Sequence, residues 1–314
     1  MKTRSLWAIV MSVALAFGIA SCGKKQAGTE GGAKAYTIGV TLLTKEHPFY
    51  QELEAAMRET AAKHNVKLNI QSAQFEMEKQ QSQIENFITQ QVDALVVCPV
   101  DSDTIGGAIT RANKAGIPVF TADIAANSGD VVCHVASDNV EGGRVVGEYM
   151  AKLLNGKGKI IIIDHPKVMS VVDRTRGFVQ AVSKYPGIKI VARPPGDGER
   201  TTSMSVMENM LQSHPDINGV FAINDSTALG ALAALRQAKR NVIIVGYDGD
   251  PEAREEILKG TPLKADAVQY PRKIGSTTIE MVVKHLNGEK VPKKVPVEVG
   301  IIDKASLEAE RKGE

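Results

Sequence analysis

The sequence predicts an α/β fold made of two doubly wound parallel-sheet lobes. From Thr37 onward, apolar runs of strand length alternate with amphipathic segments of helix length, which is the pattern of parallel sheets flanked by helices. Many of these runs are apolar throughout, as strands are when helices cover both faces of a sheet. The alternation starts again after residue 137, and a chain of 314 residues is long enough for two domains.

The first half opens with a strand at 37–43 and a helix that begins at Pro48. Proline suits a first helical position because its missing N–H would be unpaired there in any case. Leu53, Met57 and Ala61 recur at helical spacing and mark the face that packs on the sheet. The elements predicted next are strand 66–70, a helix around 77–88, strand 94–98, a helix from a cap at 101–103 to residue 115, strand 117–121 and strand 131–136.

The second half repeats this order after Ser137-Asp138-Asn139, which predicts a turn and a helix cap. Its elements are helix 140–154, strand 159–163, helix 172–185, strand 188–192, helix 202–213, strand 220–223, helix 226–237, strand 242–246 and helix 252–259. The segments left over are strand 263–269, helix 274–286, strand 295–299 and a charged C-terminal helix. They are too few for a third domain, so we expect the chain to cross back and complete both lobes. The predicted lobes are 36–137 with 270–298, and 138–269 with 299–314.

The N-terminus predicts export from the cytoplasm. Lys2 and Arg4 precede an apolar run at 6–20, which is too short to span a membrane comfortably, and small residues follow it. We expect a signal peptide at 1–21 and a flexible tether at 22–35. The ending Ile-Ala-Ser-Cys22 resembles a bacterial lipobox, which implies a lipid on Cys22. The chain would then sit in the periplasm or on the outer face of a bacterial membrane; the alternative is ordinary secretion with Cys22 as a spare thiol.

Charge and cysteine usage narrow the class of protein. The chain has 38 Lys and Arg against 36 Asp and Glu, and losing Lys2 and Arg4 with the signal peptide leaves 36 of each. Without a basic excess or stripe, we expect no nucleic-acid partner. Cys98 and Cys133 lie in apolar strands, so each can be a small core residue, and a disulfide between them stays open. No Cys/His cluster has metal-ligand spacing, so we expect neither a metal nor a cofactor.

Aromatic and polar side chains follow the ends of predicted strands. His47, Phe49 and Tyr50 come just after the first strand, and Asp123 and Asp248 follow two others. In open parallel sheets, ligands bind at the edge formed by the carboxyl ends of the strands. The crevice between two lobes is also a preferred place for a small molecule. Two rings and a histidine suit stacking on an uncharged polar molecule better than binding a phosphate. The alternative is that the two rings only pack the helix onto the sheet.

Several short motifs carry a family resemblance. They are His47-Pro-Phe-Tyr50, Pro99-Val-Asp-Ser-Asp103, Ala136-Ser-Asp-Asn139 with Gly142-Gly143, Arg174 ahead of Gly177-Phe178, Ala222-Ile-Asn-Asp225 with Ala228-Leu-Gly-Ala231, Val245-Gly-Tyr-Asp-Gly249, and Gln269. Through them the chain from 37 to about 299 resembles the ribose-binding and related periplasmic sugar-binding proteins of bacterial ABC transporters. The resemblance implies the periplasmic binding protein type I fold, two Rossmann-like lobes joined by three hinge crossings. It also implies a sugar or polyol trapped between the lobes and passed to the permease of an ABC transporter. We expect the protein to be a monomer.

The resemblance further implies a set of ligand-binding side chains. These are stacking rings, carboxylates that accept hydroxyl protons, a guanidinium donor, and amides that donate and accept at once. The residues are His47, Phe49, Tyr50, Asp123, Arg174, Asn224, Asp248 and Gln269. Structural alternatives exist for single positions, because Asn224 or Asp248 can cap a helix and Arg174 can pair on the surface. Their convergence at strand ends of one two-lobed pattern favours a common site.

Some positions depart from the family pattern. A second arginine of the ribose pocket falls at Ile124, the second lobe's stacking ring falls at Gly198, and an upstream serine falls at Leu43. An asparagine of that pocket falls at His47. His165 could enter the pocket instead, although a solvent-facing turn is the commoner place for such a histidine. We therefore predict that ribose is not the best ligand.

The sequence bears on three rival functions. A sugar-responsive repressor needs a basic N-terminal helix-turn-helix, and this chain has an export signal there. An NAD-dependent enzyme needs G-x-G-x-x-G after the first strand, where this chain has Thr-Lys-Glu-His-Pro. We therefore expect no enzyme. A subunit that presents the liganded form to a chemoreceptor or histidine kinase stays open, because the binding physics would be the same.

Overall fold

The structure is a computed structural model that describes residues 35–313. Strands and helices alternate along the chain as predicted. Their bounds are β1 Tyr36–Leu42, α1 Pro48–Lys63, β2 Val66–Ser72, α2 Met77–Thr89, β3 Ala94–Val97, α3 Gly106–Lys114, β4 Val119–Ala122, β5 His134–Ser137, α4 Asn139–Leu153, β6 Lys157–Ile163, α5 Met169–Val182, β7 Gly187–Ala192, α6 Arg200–Ser213, β8 Gly219–Ala222, α7 Asp225–Gln237, β9 Ile243–Asp248, α8 Pro251–Leu258, β10 Leu263–Val268, α9 Pro271–Leu286, β11 Lys294–Val297, β12 Gly300–Asp303 and α10 Lys304–Lys312.

The strands form two six-stranded sheets, in the orders β11-β5-β4-β3-β1-β2 and β12-β10-β9-β8-β6-β7. Every pair in the first sheet is parallel. In the second sheet only β12 runs antiparallel, against β10. The chain passes between the sheets three times, after β5, after β10 and after β11. This confirms the predicted fold class of two doubly wound lobes with a three-crossing hinge.

The central strands are buried because helices cover both faces of each sheet. Ile38, Val40 and Leu42 of β1 are fully buried, and so are all four isoleucines that end β6. Helices α1 and α9 pack together and α9 contacts β4 and β5, whereas α4 packs on α5 and contacts β9 and β10. The continuous apolar runs in the sequence are thus the cores of the two sheets.

Helices α4 and α5 approach so closely that their contact needs glycine. A Cβ on Gly143 would lie 1.9 Å from the carbonyl oxygen of Arg174, and one on Gly177 would lie 1.9 Å from that of Val140. Both positions leave no room for a methyl group between the two backbones. This contact matters for function because α5 carries Arg174.

Several predicted elements differ in detail from the structure. The predicted helix cap at 101–103 instead closes a turn, since the Asp101 carboxylate accepts hydrogen bonds from the N–H groups of Asp103 and Thr104, and α3 begins only at Gly106. The predicted strand 295–299 ends at Val297, and a separate strand, β12, follows it. Asp138 does cap α4 as predicted, by accepting from the N–H of Glu141.

The predictions for the N-terminus fall outside the described residues. These are the signal peptide at 1–21, Cys22 and nearly all of the tether at 22–35. Within residues 35–313, no helix combines the length and the apolar character needed to cross a membrane. Cys98 and Cys133 are both buried free thiols, so the structure has each as a core residue. The assignment of the chain to lobes 36–137 with 270–298 and 138–269 with 299–314 stays a prediction.

Candidate ligand-binding site

One cavity between the two sheets is lined by all eight of the residues predicted to bind a ligand. Its wall comes from the loops and helix starts that follow β1 and β4 on one side, and β6, β8 and β9 on the other. The carboxyl ends of both sheets therefore face each other across it.

The aromatic wall is set by the turn that leads into α1. Pro48 occupies the first turn of α1 as predicted, and the next two residues, Phe49 and Tyr50, are both buried. Their ring centroids are 5.2 Å apart and their planes meet at 82°, an edge-to-face pair. Because the planes are nearly perpendicular, only one of the rings can lie flat against a given face of a ligand.

Tyr50 and Asp123 form a buried pair. The Tyr50 hydroxyl donates a 2.7 Å hydrogen bond to Oδ2 of Asp123. Burial raises the pKa of Tyr50 well above its usual range, so the hydroxyl stays protonated. Burial also raises the pKa of Asp123, against the opposing effects of Arg174 and of the Tyr50 hydrogen bond. Oδ1 of Asp123 is buried without a protein partner, so it is left as an acceptor at the cavity wall.

Arg174 is held in one orientation by several contacts. It is only 4 % exposed, and its guanidinium carbon lies 4.0 Å from the centre of the Tyr247 ring. Nε donates to Oδ1 of Asn139 at 2.8 Å and Nη1 donates to the carbonyl of Ile223 at 2.9 Å. Nη1 also lies 3.8 Å from Oδ1 of Asp248. The alternative of a surface ion pair for Arg174 is therefore wrong.

Asp248 and Gln269 are joined at the hinge side of the cavity. Nε2 of Gln269 donates a 2.7 Å hydrogen bond to Oδ1 of Asp248. Burial raises the pKa of Asp248 to about 7, although the nearby Arg174 acts in the opposite direction. Asp248 has φ of 118°, a conformation that side-chain-bearing residues rarely adopt and that often marks functional sites. Oε1 of Gln269 is buried without a protein partner.

Asn224 is both a helix cap and a wall of the cavity. Its Oδ1 accepts a 2.9 Å hydrogen bond from the N–H of Thr227 and so caps α7. Its Nδ2 donates to the carbonyl of Gly198 at 3.1 Å. The two alternatives considered for this residue are therefore compatible, because capping fixes the amide at the cavity's edge.

Two histidines from different sheets reach the same cavity. His47 precedes α1, and burial followed by the influence of His165 lowers its pKa to about 4. His165 follows β6, and burial lowers its pKa as well. His165 is only 6 % exposed and lines the cavity. The alternative that His165 lies in a solvent-facing turn is therefore wrong. Both imidazoles are neutral at pH 7 and can each donate and accept one hydrogen bond.

Four further residues line the cavity and were not predicted from the sequence: Phe75, Val168, Ser170 and Val171. Phe75 follows β2 and packs edge-on against His47, with ring centroids 5.5 Å apart. The other three follow β6, at the start of α5. The rule that found the remaining residues, side chains just beyond strand ends, applies to all four. The departures Leu43, Ile124 and Gly198 lie in the wall too.

The side chains of the cavity wall have the chemistry to bind a neutral polar molecule. Within residues 35–313, no group of three or more His, Cys, Asp or Glu side chains is arranged to hold a metal ion. The wall combines buried rings, two carboxylates, one guanidinium and amide groups. Carboxylate and amide oxygens without protein partners call for hydrogen-bond donors from outside the chain.

Residues 38–290 match the model of the periplasmic binding protein domain. The ribose import binding protein of Salmonella typhimurium strain LT2 is 38 % identical over 270 residues, which cover 85 % of this chain and 90 % of that protein. A solute-binding protein of an ABC transporter from Bacillus halodurans C-125, solved with myo-inositol, has a TM-score of 0.82 and 30 % identity, covering 90 % of this chain and 100 % of that chain.

A third relative belongs to a signalling protein. The fructose-binding periplasmic domain of a hybrid two-component system has a TM-score of 0.83 and 27 % identity, covering 88 % of this chain and 94 % of that chain. These similarities confirm the family resemblance that the motifs carried and agree with the expectation of a binding protein, not an enzyme. The chain belongs to the periplasmic binding protein family.

Proposed function

We propose that this chain is an extracytoplasmic solute-binding protein that traps an uncharged sugar or polyol between its lobes and delivers it to an ABC importer. The observation that carries this proposal is the pair of buried acceptors without protein partners, Oδ1 of Asp123 and Oε1 of Gln269, on a cavity that also holds buried rings. Adjacent ligand hydroxyls supply the donors that these oxygens lack, and sugar C–H groups pack on the rings.

The charge of the cavity supports a neutral ligand. Asp123 and Asp248 face a single guanidinium, that of Arg174, and both histidines have lowered pKa values. A sugar acid or sugar phosphate would add a third anion to this buried site, which costs much more than burying a hydroxyl. The relatives named for ribose, myo-inositol and fructose support a small solute with several hydroxyl groups.

We propose the eight cavity residues as the ligand contacts, with roles that follow from their chemistry. The rings of Phe49 and Tyr50 supply apolar contact, and Asp123 and Asp248 accept hydroxyl protons. The other proposed contacts are His47, Arg174, Asn224 and Gln269. Because Ile124 and Gly198 stand where the ribose-binding pattern has an arginine and a ring, we propose that ribose binds less tightly than another sugar or polyol.

We also propose that the mature chain begins at Cys22, carries a lipid on that cysteine and works as a monomer on the outer face of a bacterial membrane. The apolar run at 6–20 and the Ile-Ala-Ser-Cys22 ending support this. The change of Cys22 to Ser should release the chain into the soluble fraction after export. Wild-type chain that is soluble without detergent would contradict the anchor.

One experiment tests the central proposal. Freshly purified protein is denatured, and the small molecules it releases are identified by mass spectrometry. Calorimetric titrations then compare D-ribose, D-fructose and myo-inositol with D-glucuronate as an anionic control. We expect a released or titrated polyol with Kd of about 1 μM or below and no binding of the acid. Binding of D-glucuronate alone, or release of a compound without hydroxyl groups, would contradict the proposal.

The second candidate is a sensor subunit, and the relative from a two-component system favours it. Ligand binding and closure would be the same in both roles, so calorimetry does not separate them. The partner that captures the closed form does. We expect liganded protein to bind the permease encoded nearest to its gene; capture of a receptor or histidine kinase instead would support the sensor.

A further inference from the structure

Two hydrogen bonds cross the cleft at Ser102, far along the chain from the hinge crossings. Ser102 lies in the turn after β3, on the side of the first sheet, and is 1 % exposed. Its N–H donates to the carbonyl of Lys167 at 2.9 Å, and its Oγ accepts from the N–H of Met169 at 3.0 Å. Both partners follow β6 of the second sheet. Its own carbonyl accepts from the N–H of Asn127 at 2.8 Å, which fixes it to its own lobe.

The segment 164–169 that Ser102 contacts is anchored at its base in the second lobe. The buried carboxylate of Asp164 accepts from the N–H of His165 at 2.9 Å and from the hydroxyl of Thr175 at 3.1 Å. It also pairs with Arg193 at 2.7 Å. Asp164 therefore holds one end of the segment, and Ser102 binds the other end from across the cleft.

The segment places His165 in the cavity wall opposite the aromatic turn of the first lobe. Its Nδ1 lies 3.4 Å from the position that a Cβ on Gly198 would occupy, so the imidazole takes space that the glycine leaves open. No side chain in residues 35–313 hydrogen-bonds to its ring nitrogens. The neutral ring thus has one donor and one acceptor available to a ligand.

We propose that Ser102 is a positioning residue, which fastens the segment 164–169 across the cleft and so holds His165 against the ligand as a specificity-determining side chain. This inference rests on the proposed function and names a further determinant of the same site. The two crossing bonds join different lobes and form only when the lobes are closed. They therefore favour the closed state over the open one and must break before the ligand leaves.

Kinetics separate this role from a general loss of structure. We expect Ser102→Ala to raise the dissociation rate of the tightest binder among D-ribose, D-fructose and myo-inositol about 2- to 10-fold, the factor for one hydrogen bond. The association rate should change less than 2-fold, because the bond forms after encounter. Ser82→Ala is the matched control, since that hydroxyl bonds only within its own helix, to the carbonyl of Glu78. It should leave both rates unchanged.

A double-mutant cycle tests whether Ser102 acts through His165. His165→Ala should weaken binding and change the ranking of the three ligands. Adding Ser102→Ala to it should raise the dissociation rate by a smaller factor than in the wild-type background, because only the effect on closure then remains. His165→Gln, which keeps a donor and an acceptor, should restore part of the affinity. Unfolding midpoints without ligand show whether His165→Ala is misfolded, and in that case His165→Gln takes its place in the cycle.

Three results would overturn the inference. Unchanged dissociation from Ser102→Ala would remove the fastening role. An equal effect of Ser102→Ala with and without His165 would mean that it acts on closure alone. An unchanged ligand ranking in His165→Ala would remove the specificity role. Failure of the proposed function would look different, because no member of the panel would then bind the wild type.

Discussion

The Tyr50 hydroxyl donates a 2.7 Å hydrogen bond to Oδ2 of Asp123, while Oδ1 of the same carboxylate has no protein partner. The Tyr50 ring, for which the sequence suggested stacking on a ligand or packing on the sheet, therefore also donates a hydrogen bond to one oxygen of the carboxylate beside it. Asp123 is left with one oxygen for a ligand. Because the bond fixes the ring and the carboxylate relative to each other, a substitution at either residue should also alter the position of the other.

Tyr50→Phe should lower the free energy of unfolding by about 1–3 kcal/mol at pH 8, the cost of leaving a buried charged acceptor without its donor. The loss should shrink as the pH falls toward the raised pKa of Asp123, because a protonated carboxyl depends less on that donor. Urea denaturation of the ligand-free protein at pH 8 and pH 4 measures it. Tyr185→Phe, at an exposed tyrosine, is the control; an equal loss at both pH values would contradict the prediction.

Ligand affinity should depend on the protonation of Asp248. Its pKa is raised to about 7, and a ligand hydroxyl that donates to it prefers the ionised form. The dissociation constant should therefore rise as the pH falls below 7, by up to about tenfold per pH unit. Titration calorimetry from pH 8 to pH 6 measures this. Asp248→Asn should abolish the slope, and Asp250→Asn should move it to lower pH, because the Asp250 charge contributes to the raised pKa of Asp248. A flat wild-type profile would count against Asp248 as a ligand acceptor.

Arg174 should be needed for both stability and binding. Arg174→Gln leaves the buried Asp248 and Asp123 without their counter-charge, and removing one partner of a buried pair costs about 3–5 kcal/mol. Arg174→Lys keeps the charge but loses the planar group that spans Asn139 and Ile223, so it should fall between wild type and the glutamine variant. Thermal unfolding and calorimetry measure both effects. Arg176→Gln, which removes an exposed ion pair with Asp173, should change neither.

Most site residues could be predicted because they lie just beyond the ends of strands, and strand ends can be recognised from local sequence alone. His47, Phe49 and Tyr50 follow β1 directly, and Asp123 follows β4, so short segments were enough to find them. The same pattern pointed to His165, which follows β6, but did not show whether its ring enters the cavity or faces solvent. Its burial comes from the backbone around Gly198 and from the segment that Ser102 binds across the cleft, contacts that a local pattern does not contain.

The fold class was likewise predictable from the sequence, whereas the number and the ends of the C-terminal strands were not. Strand β11 contains Pro296, which lacks an N–H and is tolerated because β11 lies at the edge of its sheet. The apolar run continues past Pro296, so the sequence predicted a single strand there. The structure has two, because the chain leaves the first sheet after β11 and enters the second sheet as β12. Strand β12 depends on its antiparallel pairing with β10, a long-range contact without a local signal.

The glycine contact between α4 and α5 should control the position of Arg174. Gly143→Ala puts a methyl group where the Arg174 carbonyl lies, so α5 must shift. We expect a loss of about 1–3 kcal/mol in stability and at least a tenfold loss of ligand affinity. Gly107→Ala is the matched control, because this exposed helical glycine has room for a methyl group and should gain about 0.5–1 kcal/mol. Unchanged affinity in Gly143→Ala would contradict the link.

The buried acidic pair behind the cavity should lower stability at neutral pH. Asp266 is fully buried, neither of its oxygens has a hydrogen-bond partner of ordinary geometry, and Asp225 lies beside it. Burial raises the pKa of both carboxyls. A folded state that binds protons more tightly than the unfolded chain loses stability as the pH rises between the two pKa values. The cost is thus absent near pH 4 and complete above pH 7.

Asp266→Asn removes the charge but keeps the shape of the side chain, so it should stabilise the protein at pH 8 by about 1–3 kcal/mol. The gain should be smaller at pH 5, where only the folded carboxyl holds its proton, and should reach zero near pH 4, where the unfolded chain holds it as well. Urea denaturation at the two pH values measures it. Asp216→Asn, at an exposed carboxylate paired with Lys159, should give no gain at either pH. A gain for Asp266→Asn that is the same at pH 5 and pH 8 would mean that packing, and not ionisation, sets the cost of this residue.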